Sequence, residues 1–121
     1  MERRKRARFI VDNAVTIRPI SPPRTGRATR ARTYDLSTGG ARILSGTKFE
    51  VGDVLRLRID LERTGESVTV DARIRWVNRQ AGTGFFEMGV EFLRLTSHKV
   101  LALIKHLYGP NAVLPTVSPG A

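Results

Sequence analysis

The chain contains no cysteine. That excludes a disulfide framework, a thiolate nucleophile and a cysteine-ligated zinc. Only two histidines are present, His98 and His106. Eight residues apart on a helix, they differ by about 80° in direction, and they read as surface or helix-end residues rather than metal ligands. No apolar run approaches the roughly 20 residues that span a bilayer. The charged N-terminus has no hydrophobic stretch behind it, so no signal peptide is expected, and the expected location is cytoplasmic. Carboxylates are scarce, with 11 Asp and Glu against 21 Lys and Arg. They fall on outward strand positions or in turns, without the pairing that acid–base chemistry needs. Ser37 has no Gly-x-Ser-x-Gly elbow, and Gly39-Gly40 belongs to no Gly-x-x-x-x-Gly-Lys loop. Neither an enzyme nor a metal or cofactor is expected.

What is there fits one soluble globular domain: 121 residues, 40% of them hydrophobic and 26% charged, enough for a real core but not for two. The net charge of +10 is unevenly placed. Residues 1–32 carry ten Lys and Arg against Glu2 and Asp12, a balance of +8, which leaves +2 for the rest. Such a field attracts anions and raises their encounter rate. A solvated basic arm is the bland alternative for any charge run of this kind.

Strand patterns fill most of the chain. Phe9 to Ile17 reads as a first strand, followed by a Pro-rich loop around Pro22-Pro23. Residues 27–35 read as a weaker strand near an edge, and Gly39-Gly40 opens a short strand through Leu44. The clearest alternation is in Val54–Leu61, where Leu55, Leu57, Ile59 and Leu61 face inward and Arg56, Arg58 and Asp60 face water. Val68, Val70, Ala72, Ile74 and Trp76 form the next inward face, then Phe86, Met88, Val90 and Phe92 after the Gly82-Thr83-Gly84 turn. Thr96 or Ser97 is placed to cap a helix running to Tyr108. Its apolar stripe is Val100, Leu101, Ile104, Leu107 and Tyr108. Six strands and one helix point to an antiparallel barrel or sandwich with the helix over an open end or seam. The tail at 109–121 contains three prolines and is expected to be extended.

Two short motifs carry chemistry. Arg3-Arg4-Lys5-Arg6-Ala7-Arg8 offers guanidinium groups that fork onto phosphate or onto guanine O6/N7. Asp35-Leu36-Ser37-Thr38-Gly39-Gly40 offers a carboxylate, a hydroxyl and a glycine-relaxed backbone, which suit the opposite edge of a guanine. The second motif has a structural alternative, an Asx- or ST-turn between strands. An anionic, guanine-bearing ligand would satisfy both motifs at once.

In this order and at this spacing, the motifs Arg4-x-x-x-Arg8 and Asp35-x-Ser37-x-x-Gly40 resemble the two signatures of the PilZ domain, a bacterial receptor module for cyclic di-GMP. Ile74-Arg75-Trp76-Val77 and Met88-Gly89-Val90-Glu91-Phe92 are similar to the family's later strands. The resemblance implies an all-β domain over residues 1–108, a six-stranded antiparallel PilZ-type β-barrel with a C-terminal helix and a flexible arginine arm at 1–8. It implies that Arg4 and Arg8 contact phosphates and guanine O6/N7, and that Asp35 accepts from guanine N1–H and N2–H. It implies further that Ser37 adds a polar contact and that Gly39 and Gly40 let the backbone approach the ligand. Arg3 implies a stacked ligand dimer. Trp76 matches a tryptophan that lies beside the ligand in some members, while its alternation implies a core role equally well. The implied partners are cyclic di-GMP and an unidentified downstream protein, with no membrane span. Two other readings stay open: a basic barrel that binds nucleic acid, and a PilZ-like adaptor that binds no nucleotide. The lack of exposed aromatics on the strand faces argues against nucleic acid. Arg4 lies almost at the first residue, which suits either a stand-alone domain or a piece of a longer protein.

Overall fold

Strand alternation and turn chemistry account for most of the architecture of a computed structural model, which describes residues 13–23, 28–62 and 64–108. Its elements are β1 (Asn13–Ser21), β2 (Thr29–Leu36), β3 (Gly40–Ser45), β4 (Val54–Leu61), β5 (Glu66–Arg79), β6 (Phe86–Leu93) and α1 (Ser97–Tyr108). The strands form a closed barrel in the order β1-β2-β3-β6-β5-β4, and β4 pairs back onto β1. Every pairing is antiparallel. This is the expected six-stranded barrel with its C-terminal helix.

The core is built as alternation requires. Leu55, Leu57, Ile59 and Leu61 of β4 are fully buried, as are Ile17, Ile43, Ala72 and Met88 from the strands around them. Each large aliphatic side chain taken out of water contributes about 1.5–3 kcal/mol. Hairpin geometry follows the glycines that the turns need: Gly65 between β4 and β5, and Gly82 and Gly84 between β5 and β6, have φ of 76°, 77° and 78°. At the start of α1, the Lys99 amide donates to the Thr96 hydroxyl at 3.3 Å. Thr96 is therefore the N-cap, satisfying one of the first-turn donors.

Several local expectations are corrected. β1 runs four residues past the expected end at Ile17, through Pro19 to Ser21, because its partners on β4 extend to Val54, while the expected strand residues 9–12 lie outside the described residues. β2 is no edge strand: it lies between β1 and β3, and a closed barrel has no edge. The helix stripe omitted Leu103, which is fully buried and joins the barrel core together with Leu107. His106 is buried with them rather than at the surface, while His98 is exposed. The side chain of Tyr108 lies outside the described residues.

Two irregularities matter most for the site. The β2–β3 register shifts between Thr33 and Asp35, and the β5–β6 register shifts between Ile74 and Trp76. Each is a β-bulge, one extra residue that reverses which face the following side chains occupy.

Candidate functional site

Alternation along β2 would send Asp35 inward with Thr33, but the bulge at Tyr34 turns it out. Thr33 pairs with the core residue Ile43, whereas Asp35 pairs with Arg42. The bulge at Arg75 does the same on β5. Ile74 pairs with the core residue Val90, and Trp76 then pairs with Gly89. Arg42 and Gly89 are themselves paired across β3 and β6. Asp35, Arg42, Gly89 and Trp76 thus form one continuous cross-strand row on the outer surface, over four adjacent strands. The core role that alternation allowed for Trp76 is thereby excluded.

At one end of the row is a shielded carboxylate. The Asp35 side chain is only 6% exposed, and the Arg42 Nε–H donates to its Oδ2 at 2.8 Å. A carboxylate taken this far out of water needs such a partner, because an unpaired one costs several kcal/mol. The Arg42 side chain is 41% exposed. Its guanidinium carbon stands 5.3 Å from the centroid of the Tyr34 ring, within cation–π range.

Trp76 occupies the other end. Its half-buried indole lies across Gly89, where a Cβ would collide with the ring atoms Nε1, Cε2 and Cζ2. Any side chain at that position would displace the ring. Beside it, the bulged Arg75 forms an ion pair with Glu91.

Ser37 and Gly40 serve the β2–β3 turn. The Ser37 Oγ accepts from the amides of Gly39 at 3.2 Å and Gly40 at 3.3 Å, and it donates to the Gly40 carbonyl at 3.3 Å. One donor and two acceptors are all a hydroxyl has. The Ser37 amide closes the turn on the same carbonyl at 2.9 Å. The structural alternative for this motif is therefore realised at Ser37. A Cβ on Gly40 would collide with the backbone carbonyl of Val90, so the close approach there is that of β6. The Gly39 carbonyl accepts from the Phe92 amide at 2.9 Å. Together these bonds fix Asp35 two residues before a rigid corner.

Arg3, Arg4 and Arg8 lie outside the described residues, as do residues 109–121. Arg42 and Gly89 were not among the candidate site residues. Arg42 was within reach of sequence reasoning: counting outward from a turn closed between Ser37 and Gly40 pairs Leu36 with Ala41 and Asp35 with Arg42. Gly89 gave no local signal, since its neighbour Trp76 is thirteen residues away on another strand. Among the described residues, no group of three His, Cys, Asp or Glu is arranged to hold a metal ion, and no helix is long and apolar enough to cross a membrane. The row itself can do three things: accept hydrogen bonds at a carboxylate, donate them from a guanidinium, and offer an aromatic surface.

Comparison with known proteins converges on one family. The PilZ domain model matches residues 2–109. No curated protein matches the chain. Among solved structures, the Bacillus subtilis inhibitor of motility MotI/DgrA is 22% identical with a TM-score of 0.72, covering 89% of this chain and 50% of its own. This chain thus spans about half the length of that protein. The PilZ domain of YcgR from Escherichia coli, solved with c-di-GMP, is 17% identical with a TM-score of 0.71, covering 88% of this chain and 90% of its own. The PilZ domain of CeSA from a cellulose-synthesizing bacterium is 20% identical with a TM-score of 0.59, covering 88% of this chain and 99% of its own. At these identities the likeness shows the fold.

Proposed function

The chain belongs to the PilZ domain family, and on that premise we propose that it is a cyclic di-GMP receptor that relays the second-messenger signal to a partner protein. One observation carries the reading: two separate bulges turn Asp35 and Trp76 out of the barrel onto a single row. A core has no use for an outward carboxylate and an outward indole on one row with a guanidinium and a bare glycine between them, but a base-bearing anion does. Guanine presents N1–H and N2–H together, and a carboxylate accepts both. Adenine lacks that donor pair, so Asp35 is the selectivity element. The face of Trp76 offers stacking worth about 1–3 kcal/mol per base.

Arg4 and Arg8 supply the charge that neutralises the two phosphodiesters. Arg8 precedes Asn13 by five positions, at most about 18 Å of chain at 3.6 Å per residue. Asn13 pairs with Thr33, two residues from Asp35. The Arg8 guanidinium is therefore tethered within reach of the row. Arg3, beside Arg4, favours a stacked dimer of the ligand. Closing the arginine segment over the ligand would create a new surface for the downstream protein. Ser37, Gly39 and Gly40 act by shaping the corner that holds Asp35.

Calorimetry with cyclic di-GMP, and with cyclic di-AMP as control, tests the reading. Arg4→Ala, Arg8→Ala and Asp35→Ala should each abolish micromolar binding while circular dichroism stays unchanged. Charge-assisted hydrogen bonds contribute about 1.5–3 kcal/mol each, which is ten- to a hundredfold or more in affinity. Wild-type affinity in all three variants would refute the site. Indifference to guanine, with affinity lost over orders of magnitude between low and moderate salt, would instead mark a nucleic-acid binder.

A further inference from the structure

We infer that Arg42 is a further ligand-recognising residue of this site, a guanidinium that grips Asp35 with one edge and presents its far end to a phosphodiester of the bound dinucleotide. The inference rests on the cyclic di-GMP reading and adds to it a residue outside both sequence signatures. Its first support is geometric. Arg42 is the cross-strand neighbour of Asp35 on one side and of Gly89 on the other, so it stands in the middle of the row, between the carboxylate and the indole. Strands lie about 4.8 Å apart. The backbones of Asp35 and Trp76 are therefore about three spacings, or roughly 14 Å, from each other, and Arg42 occupies the first step of that span.

The second support is the inventory of its donors. A guanidinium carries five N–H groups in a rigid fork. Only the Nε–H is engaged, on Asp35 Oδ2; the two terminal nitrogens have no hydrogen-bond partner among the described residues. Four donors are left at the outer end of a side chain that is 41% exposed. The Tyr34 ring, 5.3 Å from the guanidinium carbon, and the bond to Asp35 together restrict where that end can point. A fork held at its base and open at its tip is prepared for a bidentate oxyanion, and a cyclic dinucleotide carries two. Little ordering entropy is left to lose when the anion arrives.

The same geometry says why lysine cannot replace it. An ammonium presents its donors from a single point, so it serves Asp35 or the phosphodiester but does not span them as a planar fork does. This separates ligand contact from a purely structural role. If Arg42 only compensates the buried charge of Asp35, a lysine at position 42 should do nearly as well.

Calorimetric titration of cyclic di-GMP into the wild type, Arg42→Ala, Arg42→Lys and Arg42→Gln decides the matter, with thermal melts to show that each variant is folded. Affinity should fall ten- to a hundredfold in all three variants. Near-wild-type affinity in Arg42→Lys or Arg42→Gln, with Arg42→Ala weakened, would reduce the residue to a support for Asp35 and overturn the inference. Unchanged affinity in Arg42→Ala would also overturn it while leaving the receptor reading intact. A wild-type protein that takes up no cyclic di-GMP would overturn both.

Discussion

The indole of Trp76 rests on the bare backbone of Gly89, its partner in the β5–β6 ladder, and a single added methyl group at Gly89 would collide with it. The glycine is thus part of the aromatic surface, although it contributes no side chain to it. Gly89→Ala should push the indole off the barrel. Trp76 is the only tryptophan, so its fluorescence reports on this movement alone. The expected result is a shifted emission maximum, a stability loss of about 1–3 kcal/mol from overpacking, and weaker cyclic di-GMP binding. Unchanged emission together with unchanged affinity would show that the ring does not depend on this glycine.

Trp76 on the outer row and Trp76 in the core make opposite predictions for its removal. A core tryptophan cut to alanine costs about 3–5 kcal/mol of stability. On the outer row, Trp76→Ala should cost far less and instead lower ligand affinity by about tenfold or more, the loss of one stacked base. Urea unfolding and calorimetry on the same variant measure both quantities. A large loss of stability with affinity retained would reverse the assignment.

Ser37 is buried, and all its hydrogen-bonding capacity is spent within the β2–β3 turn. Ser37→Ala leaves turn amides without their acceptor, which costs about 1–3 kcal/mol. The melting temperature should therefore drop by several degrees. Binding should fall less than in Asp35→Ala, because the serine acts through the corner that carries Asp35. A variant that melts normally but no longer binds would make Ser37 a direct ligand contact.

Glycines in this chain are needed for different reasons, and alanine substitution separates them. At Gly40 the obstacle is the backbone carbonyl of Val90, which cannot swing aside as a flexible side chain would. At Gly52 the space is open, but φ is +94°, so only local strain opposes a Cβ. Gly40→Ala should therefore lower the unfolding midpoint well beyond Gly52→Ala, for which a loss of about 1 kcal/mol is expected. Equal midpoints would mean that β3 and β6 can part at no cost.

The sequence alone determined the strands and the helix, because the information for them is local, while alternation left a barrel and a sandwich both open until β4 closed onto β1. Period-two alternation in Val54–Leu61 and in Val68–Ile74 states which side chains are inside. Glycines at 65, 82 and 84 state where the chain reverses, and Thr96 or Ser97 states where the helix begins. The motif around Asp35 was legible for the same reason, as a turn signal with a carboxylate beside it. The facing of the site was decided only by the tertiary structure. Strict alternation would send Asp35 and Trp76 inward, and the bulges at Tyr34 and Arg75 send both outward. A bulge is a property of two paired strands, created when one carries a residue more than its partner, and nothing in one strand's own pattern announces it. The seat of Trp76 on Gly89 and the contact of Gly40 with Val90 likewise depend on registers between strands far apart in the chain. Residue types set what the row can bind; strand registration brought them onto one surface.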